Sequence, residues 1–497
     1  MMEAGPAAPG TPAAHKGECM VEILRVYDKF TGEVLTELPR DDRRELARKI
    51  ALASAAAGRV REMTPDDRLA LVRRVGALIE KQRERFTGLL VGEAGQAAKF
   101  ARWEVERVVA QARGFDQVID LVRPVELPAA RGRNILRREP YGVVGIITPR
   151  NTPLLVPFYT LFSALGGGNA AVLRPSTLAP GPALLLAELT MAAGCPAGAV
   201  QVSTADGDSA ASEFIENPSV AVFMTYSNSG LGKENVIKMG RYLESGATGE
   251  GVTRRVEGKF TRYVPELAGN DPFIVLSGAD LERAVEAACF GGFANAGQLC
   301  IAAKRLLVQR EVAPLFRERL TEAAGGLVVG DPRRPDTDIG PLGRPETLQR
   351  AAAHVEKALA QGGRLVFGGR VEGAFFHPTL VEFDRERLNV PWPDKPDLWR
   401  EESFAPLRTL VVFDSVEEAV QLAEDSPYGL GAAVFGSRER ALELAARLTA
   451  GRVMINEGPL YGDMHLPVGG VKDSGLFGAT HKIEELTYQK RIHLGQV

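Results

Sequence analysis

Between Asp41 and Leu121 apolar residues recur three and four positions apart, as in Leu69, Leu71, Val72, Val75, Leu78 and Ile79. That spacing puts one buried stripe on each of several helices. Thr64-Pro65-Asp66-Asp67 predicts a helix start, with Thr as cap and Pro in the first turn. From Tyr141 the pattern changes to short apolar runs at residues 143–147, 170–173, 199–202 and 220–223, with a helix expected at 183–193. Buried strands alternating with helices imply a parallel, doubly wound sheet. A second alternating series follows, with strands at 273–276, 305–308, 410–413 and 452–456. Its helices are expected at 281–292, 311–325, 348–362 and 417–424. The fold class is therefore α/β, with two doubly wound domains joined near residues 263–266. Residues 246–262 are Gly-rich and basic without periodicity, and read as a loop. Residues 1–18 are rich in Ala, Gly and Pro and read as a disordered tail.

Composition narrows the class. A chain of 497 residues is too long for one hydrophobic core. A formal charge of −3 argues against a polyanionic partner, so nucleic acid is not expected. The longest apolar runs fall far short of a membrane span. No signal peptide is evident at the amino end. Cys19, Cys195, Cys289 and Cys300 are widely spaced, which suggests neither a disulfide framework nor a zinc site and fits a reducing cytoplasm.

Three residues carry candidate chemistry. Cys300 closes the run Gly297-Gln298-Leu299-Cys300, a turn able to present a thiol at a cleft and aim its own backbone N–H at an oxyanion. A free cysteine is more often a small buried hydrophobe. Glu266 precedes Leu267-Ala268-Gly269 and an apolar strand, so it is expected at a strand entrance. Partial burial there would raise its pKa towards that of a general base. The ordinary reading is a surface charge. Asn151, in Pro149-Arg150-Asn151-Thr152-Pro153, follows the strand at 143–147, where ligands bind in parallel sheets. Two prolines and an Asn also simply make a turn.

Taken in order, these segments resemble the aldehyde dehydrogenase superfamily from about Val21 onwards. The resemblance rests on Pro149–Pro153, Arg174-Pro175-Ser176, Glu266-Leu267-Ala268-Gly269, Gly297–Cys300, Glu402-Ser403-Phe404-Ala405-Pro406 and Gly469–Gly475. It implies that Cys300 attacks an aldehyde and that Asn151 with the Cys300 N–H holds the oxyanion. Hydride then passes to NAD or NADP, and Glu266 activates water to release a carboxylic acid. The cofactor contacts it implies are Ile147, Thr148, Pro149, Arg150, Arg174, Ser176, Thr177, Tyr226, Leu267, Glu402 and Phe404. It also implies a cofactor domain at 19–122 and 140–264 and a catalytic domain at 265–460. A small β oligomerisation element is implied at 123–139 and 477–497, hence a homodimer or homotetramer.

The chain departs from the family pattern at informative places. Arg174 replaces the cofactor lysine, and Thr177 stands where a glutamate would repel a 2′-phosphate, which tips the cofactor towards NADP. Tyr226 occupies the glycine position of a Thr-Gly-Ser turn. Arg150 and Val468 replace a common Trp and Phe of the substrate tunnel. Extra residues lie around 246–261, as a surface insertion or a lid. A coenzyme A-dependent acylating relative would lack Glu266. A binding protein without chemistry finds support only in Tyr226 and Ala268.

Overall fold

The computed structural model describes residues 22–245 and 260–495. The tail expected at 1–18 and nearly all of the extra segment lie outside the described residues. Five parallel strands form the first sheet, in the order Val200–Val202, Ala170–Arg174, Val143–Ile147, Val220–Tyr226 and Arg262–Glu266. Val143–Ile147 sits in the middle because its Val and Ile side chains are buried by helices on both faces. The chain leaves it first towards Ala170–Arg174 and later fills the other side with Val220–Tyr226. That reversal opens a crevice at the carboxyl ends of the strands.

The second sheet has seven strands, in the order Arg364–Phe367, Thr379–Glu382, Leu407–Phe413, Arg305–Gln309, Pro272–Val275, Ala432–Phe435 and Val453–Ile455. Only Arg364–Phe367 runs antiparallel. A third, antiparallel sheet joins Val125–Leu127, Arg133–Pro140 and Thr487–Leu494, within the segments expected to form the small β element.

The segment at 262–266 is a strand, against the loop expected up to 262. Glu266 consequently ends a strand of the first sheet instead of entering one of the second. The pattern hid this because Arg262-Tyr263-Val264-Pro265-Glu266 has little apolar character, and pairing with Val220–Tyr226 decides its state. Thr64 caps the helix Pro65–Lys81 as expected, exchanging hydrogen bonds with Asp67 in a capping box.

The helix Leu155–Gly166 has no cap from its own preceding residue. Instead Glu104, wholly buried on the helix Ala98–Arg113, accepts from the N–H groups of Leu154 and Leu155 at 2.9 and 2.8 Å. Burial raises the Glu104 carboxyl to about 7. Gln96 donates to its second oxygen at 2.6 Å and to the Asn151 carbonyl at 3.0 Å. One buried network thus fixes both the helix start and the loop that carries Asn151.

Candidate active site

The two α/β halves meet around a cavity of about 890 Å³. Cys300, Glu266 and Asn151 all line it, although 149 residues separate the first from the last in sequence.

The turn that carries Cys300 is held in an unusual conformation. Asn295 and Ala296 adopt left-handed backbone angles (φ 53° and 52°), a costly state for residues with a Cβ. Side-chain contacts maintain it: Asn295 Nδ2 donates to the Asn151 carbonyl at 2.7 Å, and Asn151 Nδ2 returns a bond to the Gln298 carbonyl at 2.9 Å. Gly297 follows with φ 66°, and a Cβ there would lie 2.3 Å from the Ala405 carbonyl oxygen. Gly269 passes so close beneath the turn that a Cβ would lie 2.6 Å from the Cys300 oxygen. Both positions are closed to other residues.

Cys300 Sγ lies 3.9 Å from Glu266 Oε1. The thiol is partly open to the cavity, yet the cavity is deep enough that surrounding protein replaces bulk water. Burial and the facing Glu266 carboxylate hold the thiol above its ordinary range. A thiol held so high needs a base nearby to react, and the Glu266 carboxylate is the titratable group that faces it. Burial also raises the Glu266 carboxyl, against the pull of Lys482 and Arg452. Its Oε2 is buried with no hydrogen-bond partner. A carboxylate so placed readily accepts a proton. Asn151 Nδ2 keeps a second N–H, and among the described residues the Cys300 N–H has no acceptor. The two make a ready pair of oxyanion donors.

The remaining residues singled out in the sequence divide clearly. Ile147, Thr148, Pro149, Arg150, Arg174, Ser176, Tyr226, Leu267, Glu402 and Phe404 line the same cavity; Thr177 does not. Arg174 Nε donates to the Ala205 carbonyl at 2.9 Å, and burial lowers its pKa to about 10. Arg150 Nη1 donates to Gln298 Oε1 at 2.7 Å, so it braces the turn that carries Cys300. Tyr226 is in register with Glu266 on the adjacent parallel strand, and its buried hydroxyl has no partner. Burial raises that phenol well above its ordinary range.

Lys304 escaped the sequence reading. Its buried ammonium donates to the Leu299 and Cys300 carbonyls at 2.9 and 2.5 Å and pairs with Glu402 Oε1 at 3.1 Å. Its position four residues after Cys300, inside an apolar run, was the available signal.

A dinucleotide suits this crevice. Gly207 and Ser229 begin the helices Gly207–Glu216 and Ser229–Ser245, and both line the cavity beside the strand ends. Thr148 Oγ1 is buried there without a partner.

A sequence profile described as the aldehyde dehydrogenase family matches residues 18–492. The chain belongs to the aldehyde dehydrogenase family. A 3-sulfolactaldehyde dehydrogenase of Priestia aryabhattai is 31% identical over 96% of each chain. A lactaldehyde dehydrogenase of Methanocaldococcus jannaschii is 31% identical over 95% of this aldehyde dehydrogenase and 97% of that one. A crystal structure from the latter organism, of a glyceraldehyde-3-phosphate dehydrogenase complexed with NADP, superposes with a TM-score of 0.85 at 30% identity. It covers 96% of this chain and 100% of that one. This chain is an NAD(P)-dependent aldehyde dehydrogenase of the α/β fold those structures share.

Proposed function

We propose that the enzyme oxidises a small aldehyde hydrolytically, with Cys300 as nucleophile, Glu266 as base and Asn151 as oxyanion donor. The observation that carries this reading is the approach of Cys300 Sγ to Glu266 Oε1 at 3.9 Å on a turn with an unused N–H. Glu266 takes the thiol proton as Sγ adds to the carbonyl carbon. Asn151 Nδ2 and the Cys300 N–H hold the resulting oxyanion. A bound nicotinamide supplies the hydride acceptor. Arg174, Ser176 and Glu402 are the residues best placed to hold that dinucleotide. After losing the thiol proton to solvent, Glu266 deprotonates the water that cleaves the Cys300 thioester and passes that proton to the departing thiolate, giving the acid and the free thiol.

A carboxylate facing the thiol favours water over coenzyme A as acceptor, and so argues against the acylating alternative. The exposed edge strand Val125–Leu127 supports assembly into a homodimer or homotetramer. The unpaired thiols of Cys195, Cys289 and Cys300 support a cytoplasmic location. Among the described residues no helix is long and apolar enough to cross a membrane.

The test is an aldehyde panel with NAD and NADP, run on wild type and Cys300→Ala. Wild type should reduce cofactor without coenzyme A. Cys300→Ala should lose at least about 10³-fold in turnover. Unchanged activity in the variant would overturn the assignment, and so would a requirement for coenzyme A.

A further inference from the structure

On the helix Ala98–Arg113 the side chains of Trp103, Arg107 and Gln111 recur every fourth residue, which sets them along one face. All three line the cavity that holds Cys300. Trp103 and Arg107 also line a second hollow of about 330 Å³, together with Glu286 and Glu457. Arg107 therefore borders both the cavity that holds Cys300 and this second hollow.

The polar groups here are short of partners. Arg107 Nη2 lies 3.1 Å from Asp463 Oδ1, yet among the described residues this buried nitrogen completes no hydrogen bond and Arg107 makes no other ion pair. Gln111 Oε1 and the Tyr159 hydroxyl are likewise buried without partners. A packed protein rarely leaves three such groups unsatisfied along one wall unless something from outside completes them. The rest of that wall includes the apolar side chains of Leu155, Val156 and Leu460. Asp463 is partly exposed and comes from another part of the chain, so it is a counter-ion that a stronger one can displace.

We propose that the substrate is a short aldehyde bearing an anionic group remote from its carbonyl, and that Arg107 binds that group while Gln111 and Tyr159 hydrogen-bond the chain between. The proposal rests on the Cys300 reading above and names its substrate class. Arg107 is the specificity-determining residue. A guanidinium with unused donors takes carboxylate or phosphate through paired hydrogen bonds, and a neutral aldehyde gains nothing from it.

The experiment compares kcat/KM for succinate semialdehyde, glyceraldehyde 3-phosphate and the neutral butanal, in wild type, Arg107→Met, Arg107→Lys and Asp463→Asn. Wild type should favour at least one anionic aldehyde over butanal by more than about tenfold. The choice between the two anions separates carboxylate from phosphate recognition. Arg107→Met should cut the anionic-to-neutral ratio by about ten- to a hundredfold, chiefly through KM, and Arg107→Lys should restore part of it. Asp463→Asn should lower KM for the anionic aldehyde by removing its competitor. The proposal is overturned if wild type oxidises butanal as well as either anion, or if Arg107→Met leaves the ratio unmoved. If wild type oxidises none of the three, the Cys300 reading itself falls, and this proposal with it.

Discussion

Two walls face each other across the cavity at Cys300. One is made of strand ends: Ile147 to Asn151 after one strand, Arg174 to Ser176 after the next, and Tyr226 and Glu266 after two more. The other combines the helix carrying Trp103, Arg107 and Gln111, the helix carrying Tyr159, and a loop at Leu460 to Asp463. In the first wall, position follows from the sheet: each residue just past a parallel strand must reach the crevice. In the second, position follows from how two helices and a distant loop happen to pack. On the readings proposed above, the first wall supplies the base and oxyanion donor that act with Cys300, and the second sets the choice of substrate.

Four variants would break or sharpen that contrast. Glu266→Gln should have the largest effect after loss of the thiol. Thioester hydrolysis should slow by about 10²- to 10³-fold, and the burst of reduced cofactor seen in rapid-mixing experiments should slow as well, because Glu266 also takes the thiol proton. Thioester hydrolysis at the wild-type rate would remove Glu266 from deacylation. The same residue sets the pH response. Burial raises its carboxyl, and only the ionised form accepts a proton. So kcat/KM should rise with pH along a limb above the usual carboxylate range of about 4.3, and that limb should vanish in Glu266→Gln. A rate flat down to pH 5 would contradict this.

Lys304→Met comes next. It strands the Cys300 carbonyl and leaves the Glu402 carboxylate without its cation, so denaturant unfolding should show a loss of about 3 kcal/mol. The KM for cofactor should rise with it through displacement of Glu402. A loss below about 1 kcal/mol would show that the ammonium is replaceable by water. Arg174→Ala should weaken NADP about tenfold, by removal of a charged donor at the strand end. The smallest change belongs to Thr177→Glu, because Thr177 does not line the cavity. The ratio of NADP to NAD use should shift by less than about threefold, roughly the effect of a partly exposed charge. A shift well beyond that would put position 177 beside the 2′-phosphate after all.

The first wall was legible in the sequence because its residues sit at fixed offsets from buried apolar runs. Asn151 could be placed from Val143–Ile147 alone. Glu266 was found by motif but set on the wrong strand, because its own strand is weakly apolar and exists through pairing with Val220–Tyr226. Lys304 was hidden because a lysine within an apolar run looks like a surface break, whereas its ammonium is satisfied by carbonyls made available by the turn above it. Arg107 carried no local sign at all. Its place depends on which face of Ala98–Arg113 packs inward and on Asp463, more than 350 residues later. The strand at Thr379–Glu382 was missed because only Leu380 and Val381 within it are apolar, so no buried run marks it.

The register of the third sheet bears on how the chain is made. Arg133–Pro140 pairs along its whole length with Thr487–Leu494, from Pro140 opposite Thr487 to Arg133 opposite Leu494. Glu266 bridges to Gly475 as well. On the ribosome, then, the early half can assemble its parallel sheet while one edge waits for some 350 further residues, about 20 to 70 seconds at ordinary elongation rates. During that interval Arg133–Pro140 offers open backbone groups to any passing strand. Its arginines at 133, 137 and 138 put positive charge along that edge, and like charges would discourage two nascent chains from joining there before the native partner arrives.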